Sequence, residues 1–225
     1  MRIELEQPTL AALISRVIDA VESRTTIPIL GNILLKANGN TLTATATDLD
    51  IQVTSTADAT VTEPGSTTVS ASMFAAIIGK LQKGKLVTLE STGMKLTITS
   101  GRSDLELATL PIDDFPKIAT DEYDSQFQAG QAEIKRLFDL SAFAMSTEEV
   151  RFYLQGVYLH PFNGTLRAVT TDGHRLARID SAVECATAGV IVPRKTVNLV
   201  KKLLADGDAL VKVSASKILF DLGHT

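Results

Sequence analysis

Asp172-Gly173-His174-Arg175 is the stretch of this sequence whose residue types most suggest chemistry. A carboxylate and an imidazole two residues apart can act as general bases or metal ligands. Asp48 and Asp50 offer a second acidic pair, so a metal-dependent hydrolase using Asp48, Asp50, Asp172 and His174 is one reading. The chain holds a single cysteine, Cys185, in a polar, Ala-rich stretch that reads as loop. One thiol allows no internal disulfide framework and no multi-cysteine metal site. No metal or cofactor is expected.

The two acidic motifs are copies of each other. Residues 30 to 48 (LGNILLKANGNTLTATATD) align without a gap on residues 154 to 172 (LQGVYLHPFNGTLRAVTTD), and Thr41 falls on Thr165, an offset of 124 (165 − 41). Leu30, Leu35, Leu42, Thr47 and Asp48 thereby meet Leu154, Leu159, Leu166, Thr171 and Asp172. An aspartate at a strand end commonly caps backbone N–H groups of a turn, and Gly173 supplies the backbone freedom of a tight one. The motifs therefore read as strand-end turns, with His174 and Arg175 presented at the rim of a sheet. On this reading the hydrolase set is split between two repeats.

The elements that hold these turns follow from periodicity. Leu10, Leu13, Ile14, Ile18 and Val21 keep helical spacing, with Pro8 in the first turn and Ser15, Arg16, Asp19 and Glu22 on the polar face. At the same offset lie Ile134, Leu137, Phe138, Ala142 and Met145. Phe74, Ile77, Ile78 and Leu81 mark a second helix, answered by Val197, Val200 and Leu204 at an offset of 123 (197 − 74). Leu42, Ala44 and Ala46 alternate with Thr43, Thr45 and Thr47, and Leu105 and Leu107 alternate with Asp104 and Glu106, as strands with one buried and one wet face.

Residues 1 to 57 thus read strand, helix, strand, strand, strand, and residues 66 to 110 repeat that order. The class is α+β: tandem domains, each a duplicated unit with helices on one face of antiparallel sheets. Residues 111 to 126, with two prolines and several acids including Asp113 and Asp114, interrupt the pattern as a linker. Domain boundaries of 1–118 and 119–225 follow. The second domain has a segment at 216 to 221 matching 94 to 99 but no counterpart of 103 to 109, so its closing strand is missing. An unpaired sheet edge invites aggregation, and a fragment of a longer protein is expected.

With 225 residues, 44% hydrophobic and 21% charged, the composition suits two compact soluble domains. Apolar runs such as 75 to 78 are too short to span a bilayer, and no leader precedes Ile3, so a cytoplasmic location is expected. The net charge of −4 gives no long-range attraction for nucleic acid, so any such contact must be local.

A series of motifs runs the length of the chain in order: RTTIPILGNILL (24 to 35), TATDLDIQV (45 to 53), LPIDDFP (110 to 116), EVRFYLQGVYL (149 to 159), TDGHRLA (171 to 177) and VIVPRKTV (190 to 197). Together they closely resemble the bacterial replicative sliding clamps, the DNA polymerase III beta subunits. The resemblance implies a non-enzymatic DNA clamp fold with three domains per protomer, the third absent here. Two protomers would join head to tail in a ring with helices inside. It implies duplex DNA as a sequence-independent partner, met by Arg24, Arg151 and Tyr153 and by basic residues of the inner helices. The latter are Arg16, Lys80, Lys83, Lys135, Arg136, Arg194, Lys195, Lys201 and Lys202. It implies a groove for polymerase and clamp-loader peptides lined by Leu154, Thr171, Gly173, His174, Arg175 and Leu176. Arg102, Leu105 and Leu107 would mark the first domain's dimer surface, left orphaned in a monomeric fragment. A complete two-domain clamp closing as a trimer is the competing arrangement.

Overall fold

The computed structural model describes residues 1–22, 26–116, 118 and 123–225. The chain divides into two compact units, residues 1–118 with His224 and Thr225, and residues 119–223.

In the first unit, β1 (Arg2–Glu6) leads into α1 (Gln7–Val17), followed by β2 (Asn32–Asn38), β3 (Thr41–Thr47) and β4 (Gln52–Asp58). A short β5 (Thr60–Glu63) precedes β6 (Gly65–Ser70), α2 (Ala71–Lys80), β7 (Leu86–Thr92), β8 (Lys95–Ser100) and β9 (Ser103–Ala108). The two halves exchange their first strands. β6 closes the sheet β4-β3-β2-β6, while β1 enters the sheet β5-β1-β7-β8-β9. Every pairing is antiparallel, with Ile3 opposite both Val61 and Leu89.

The helices bury the stripes their spacing predicts, with one shift. Leu10, Leu13, Ile14 and Val17 are buried on α1, whereas Ile18 is only partly buried. The α-helix ends at Val17 and tightens into a 3-10 turn over Ile18–Ala20, which rotates the stripe by one residue. On α2, Phe74 and Ile78 are buried, as are the strand residues Ile33, Leu35, Leu89 and Ile98. Complete burial of one such Leu, Ile or Phe contributes about 1.5–3 kcal/mol.

The second unit runs β10 (Ser125–Gly130), α3 (Gln131–Ser141), β11 (Gly156–Phe162), β12 (Thr165–Thr171) and β13 (Leu176–Glu184). Then come β14 (Val190–Pro193), α4 (Arg194–Leu203), β15 (Asp208–Val213) and β16 (Ile218–Asp221). The exchange recurs: β14 completes β13-β12-β11-β14, and β10 heads β10-β15-β16. β10 begins inside the stretch expected to be linker. Ile134, Leu137, Phe138 and Met145 join Val197, Val200 and Leu204 in one core.

Gln7 and Gln131, the opening residues of α1 and α3, are buried polar groups in matching places. Gln7 Nε2 donates to Ile78 O at 2.8 Å, tying the start of α1 to α2. Gln131 Nε2 donates to Asp208 O at 3.1 Å, and its Oε1 accepts from Ala205 N–H at 2.8 Å. Each glutamine satisfies backbone groups where the chain leaves or re-enters a helix.

Two expectations need correction, and one is refined. Leu107 is buried but Leu105, two residues earlier on the same strand, is 40% exposed, because β9 lies at a sheet edge. Cys185 lies just past β13 outside regular secondary structure, as expected of a loop residue, but its thiol does not face solvent. It is buried in the second unit's core, with Sγ 3.3 Å from Thr187 Oγ1. Lys83 follows α2 in a turn instead of sitting on a helix. No helix among the described residues is long and apolar enough to cross a membrane.

Candidate functional site

The turn after β12 and the turn after β3 are built alike. Asp48 Oδ1 accepts from the N–H groups of Asp50 and Ile51 at 3.0 and 2.7 Å, and Thr47 Oγ1 accepts from Leu49 N–H at 3.0 Å. In the second unit, Asp172 Oδ1 accepts from His174 and Arg175 N–H at 3.0 and 2.9 Å, and Thr171 Oγ1 accepts from Gly173 N–H at 3.1 Å. Arg175 Nε adds an ion pair to Asp172 Oδ2 at 2.9 Å.

These bonds bear directly on the hydrolase reading. The backbone N–H groups of Arg175 and then His174 hold the Asp172 carboxyl at about 2, below the ordinary 3.8. An acid that strong is a poor general base near neutral pH. Asp48 spends its Oδ1 on its own turn in the same way. Among the described residues, no three His, Cys, Asp or Glu side chains gather so as to hold a metal ion.

Fixing the turn frees its outward side chains. His174, Arg175 and Leu176 are exposed, Leu176 by 62%. Arg175 also lies 5.6 Å from the centre of the Phe143 ring, close enough for a cation–π contact. The segment Glu149–Leu154 abuts the same turn: a Cβ added at Gly173 would sit 3.2 Å from an Arg151 guanidinium nitrogen. Leu154 is partly buried where this segment rejoins the sheet. Thr171, Gly173, His174, Arg175 and Leu176 thus share one turn of the second unit, with Arg151 beside it and Leu154 at the end of the Arg151 segment.

Sequence reasoning missed the apolar members of this region. Phe143 is 58% exposed, Phe152 76% and Val150 90%. Phe143 had a legible signal, since it falls off the buried stripe of its helix.

The expected phosphate contacts divide into several kinds. Lys80, Lys83, Lys135 and Lys195 are solvent-exposed. Arg151 is exposed but ion-paired with Glu148 at 3.4 Å. Tyr153 is 55% exposed and meets Phe152 edge-on, so it does not fill the core. Arg136 is engaged twice, bidentate with Glu133 at 2.7 and 2.8 Å and donating to Asp180 O at 2.9 Å. Its guanidinium holds the Glu133 carboxyl below the ordinary value. Lys201 bridges α4 to α3 through Asp139 at 2.6 Å, and Lys202 also has a partner. Arg194 turns inward to Met145 O and Ser146 O at 2.7 and 2.6 Å. Arg24 lies outside the described residues. Of the expected dimer residues, Arg102 and Leu105 are exposed beside an open sheet edge, and Leu107 is not available.

Comparison with known proteins fits this architecture. The N-terminal domain of the DNA polymerase III beta subunit matches residues 1–119, and its central domain matches residues 128–225. The chain belongs to the DNA polymerase III beta subunit family. Its relatives in that family include the beta sliding clamp of Caulobacter vibrioides, 41% identical over 99% of this chain. The beta sliding clamp of Escherichia coli K12 is 36% identical over 95%. A crystal structure of the sliding clamp from Bartonella birtlesii bound to griselimycin superposes with a TM-score of 0.95 at 36% identity over 100% of the chain. The chain spans 63% of the length of the Caulobacter relative and 63% of the Bartonella chain. The strand-end aspartates are spent on their own turns, while Leu176, Lys80, Lys83, Lys135 and Lys195 are exposed. Arg194 and Arg136 are turned to intramolecular use.

Proposed function

We propose that this chain is the DNA-facing and partner-binding portion of a processivity factor that encircles duplex DNA and tethers a replicative polymerase, with no catalysis of its own. The observation that carries the reading is the tandem match of two clamp domains over units that each show the same doubled, strand-exchanged fold. In this assignment residues 1–118 are the first domain and 119–225 the second, and the whole protein is a head-to-tail homodimer of three-domain protomers acting in the cytoplasm. Arg102 and Leu105 beside the open edge of β9 belong to the first domain's side of the dimer contact. The 225-residue chain alone is monomeric.

Exposed lysines touch phosphates without reading bases, which lets a ring slide. The rim around Leu176, with its polar neighbours, accepts short, partly apolar peptides from polymerases and clamp loaders. The test is a fluorescence titration of the chain with duplexes of unrelated sequence across a salt series. A dissociation constant on the order of 10⁻⁴ to 10⁻⁶ M, equal for all sequences and lost at high salt, is expected. A marked sequence preference, or affinity that survives high salt, would sink the reading.

A further inference from the structure

Residues 146–154 form a loop with an unusual balance: a bare apolar tip on a tightly fastened base. Val150 and Phe152 at the tip are 90% and 76% exposed, while Met145 and Ser146 at the entrance are 4% and 2% exposed. The base is closed by Ser146 N–H donating to Leu154 O at 2.9 Å, and Gln155 Nε2 reaches back to Glu148 O at 2.7 Å. One residue outside the loop grips both of its ends. Arg194 N–H donates to Gln155 O at 2.8 Å on the exit side, and its Nη2 donates to Met145 O and Ser146 O at 2.7 and 2.6 Å on the entrance side.

From this geometry we infer that Arg194 is a positioning residue that fastens the loop bearing Arg151, Tyr153 and Leu154, and that it does not itself touch DNA phosphates. The inference rests on the function proposed above for what those three side chains contact. A guanidinium suits the task because the two N–H bonds of Nη2 lie at fixed angles in a rigid plane, one for each carbonyl, whereas an ammonium is a point charge on a flexible stem. The Nε of Arg194 is buried and, among the described residues, has no hydrogen-bond partner, while Nη2 faces the two backbone carbonyls. Arg194 is also the first residue of α4, so it joins the loop directly to the helix bearing Lys195. Without Nη2, the two entrance carbonyls lose this donor and the loop is fastened only by its own bonds and the Arg194 backbone N–H.

The experiment compares the complete chain with its Arg194→Lys and Arg194→Met variants by amide hydrogen exchange and by duplex binding across a salt series. Both variants should raise exchange at Ser146 and Gln155 by about tenfold. Both should weaken DNA binding alike, with an unchanged salt slope, because no phosphate contact is removed. Rescue by Arg194→Lys, a slope shallower by about 1 in Arg194→Met and undisturbed loop exchange would together overturn the inference in favour of a direct phosphate contact. The exchange measurement needs no ligand. If the unaltered chain binds no DNA, the proposed function fails, while unchanged exchange in both variants alone defeats the role of Arg194. Should Arg194→Met fail to fold, Arg194→Lys still decides, since it keeps the charge and loses the fork.

Discussion

Leu49 and Gly173 hold the same position in two copies of one turn, with φ of 85° and 90°. Only glycine adopts that backbone without cost, and an L-residue there is strained by roughly 1–2 kcal/mol. The Leu49 side chain is 51% exposed and recovers little of this by burial. Leu49→Gly should therefore stabilise the first unit by about 0.5–1 kcal/mol, the relieved strain less the extra entropy of an unfolded glycine. Gly173→Ala should destabilise the second unit, because it adds the strain and brings a Cβ to 3.2 Å from Arg151. Paired urea denaturation curves check both signs; destabilisation by Leu49→Gly would contradict the shared geometry.

The Asp172 cap carries a pH signature. Its folded value of about 2 lies below the ordinary 3.8, chiefly through the N–H groups of Arg175 and His174. A depressed folded value means that the cap's contribution to stability is complete above about pH 4 and is lost as pH falls through 2. A carboxyl-carbon NMR titration should give that low midpoint, and Asp172→Ala should restore no low-pH transition in the amides of His174 and Arg175. A midpoint at or above 3.8 would mean that the cap does not form in solution.

Gln131 should be hard to replace. Gln131→Met is close in volume but strips the partners of Ala205 N–H and Asp208 O, both met by Gln131 in the folded unit. Both bonds are only partly buried, and the loss of hydrogen bonds of this kind costs about 0.5–1.5 kcal/mol. Thermal unfolding of the variant should show that loss, and a neutral result would mean that water takes the glutamine's place.

Leu176 offers the sharpest test of the peptide surface. Because it is 62% exposed, Leu176→Asp should leave the fold intact. The new carboxylate would stand where apolar peptide side chains settle, lowering affinity by about tenfold or more, roughly 1.4 kcal/mol. A labelled polymerase-tail peptide titrated by NMR should shift residues 171 to 176 in the parent chain. Equal affinity in the variant would place the peptide elsewhere.

What the sequence made legible was whatever is periodic or duplicated. The stripe Leu10, Leu13, Ile14 follows from helical spacing, and the equivalence of Asp48 and Asp172 follows from a gapless repeat. What stayed hidden depends on partners distant in sequence. Nothing near Arg194 says that its guanidinium meets carbonyls 48 and 49 residues earlier. Cys185 sits among polar neighbours yet closes a core assembled from other strands. Leu105 and Leu107 share one face of β9 by alternation, but only the sheet order reveals that the strand lies at an edge where cover runs out. The four-residue β5 is too short for any period to register.

The exchange of first strands also governs the order in which each unit can assemble. β1 must wait for β5 around Val61 and β7 around Leu89, and β10 must wait for β15, with Ser125 opposite Val213. In a chain emerging N-terminus first, β1 and the stripe of α1 are synthesised well before the strands that cover them. Neither half of a unit is a self-sufficient folding nucleus, so each unit folds only after its last strands arrive, and distant pairing of this kind slows the search.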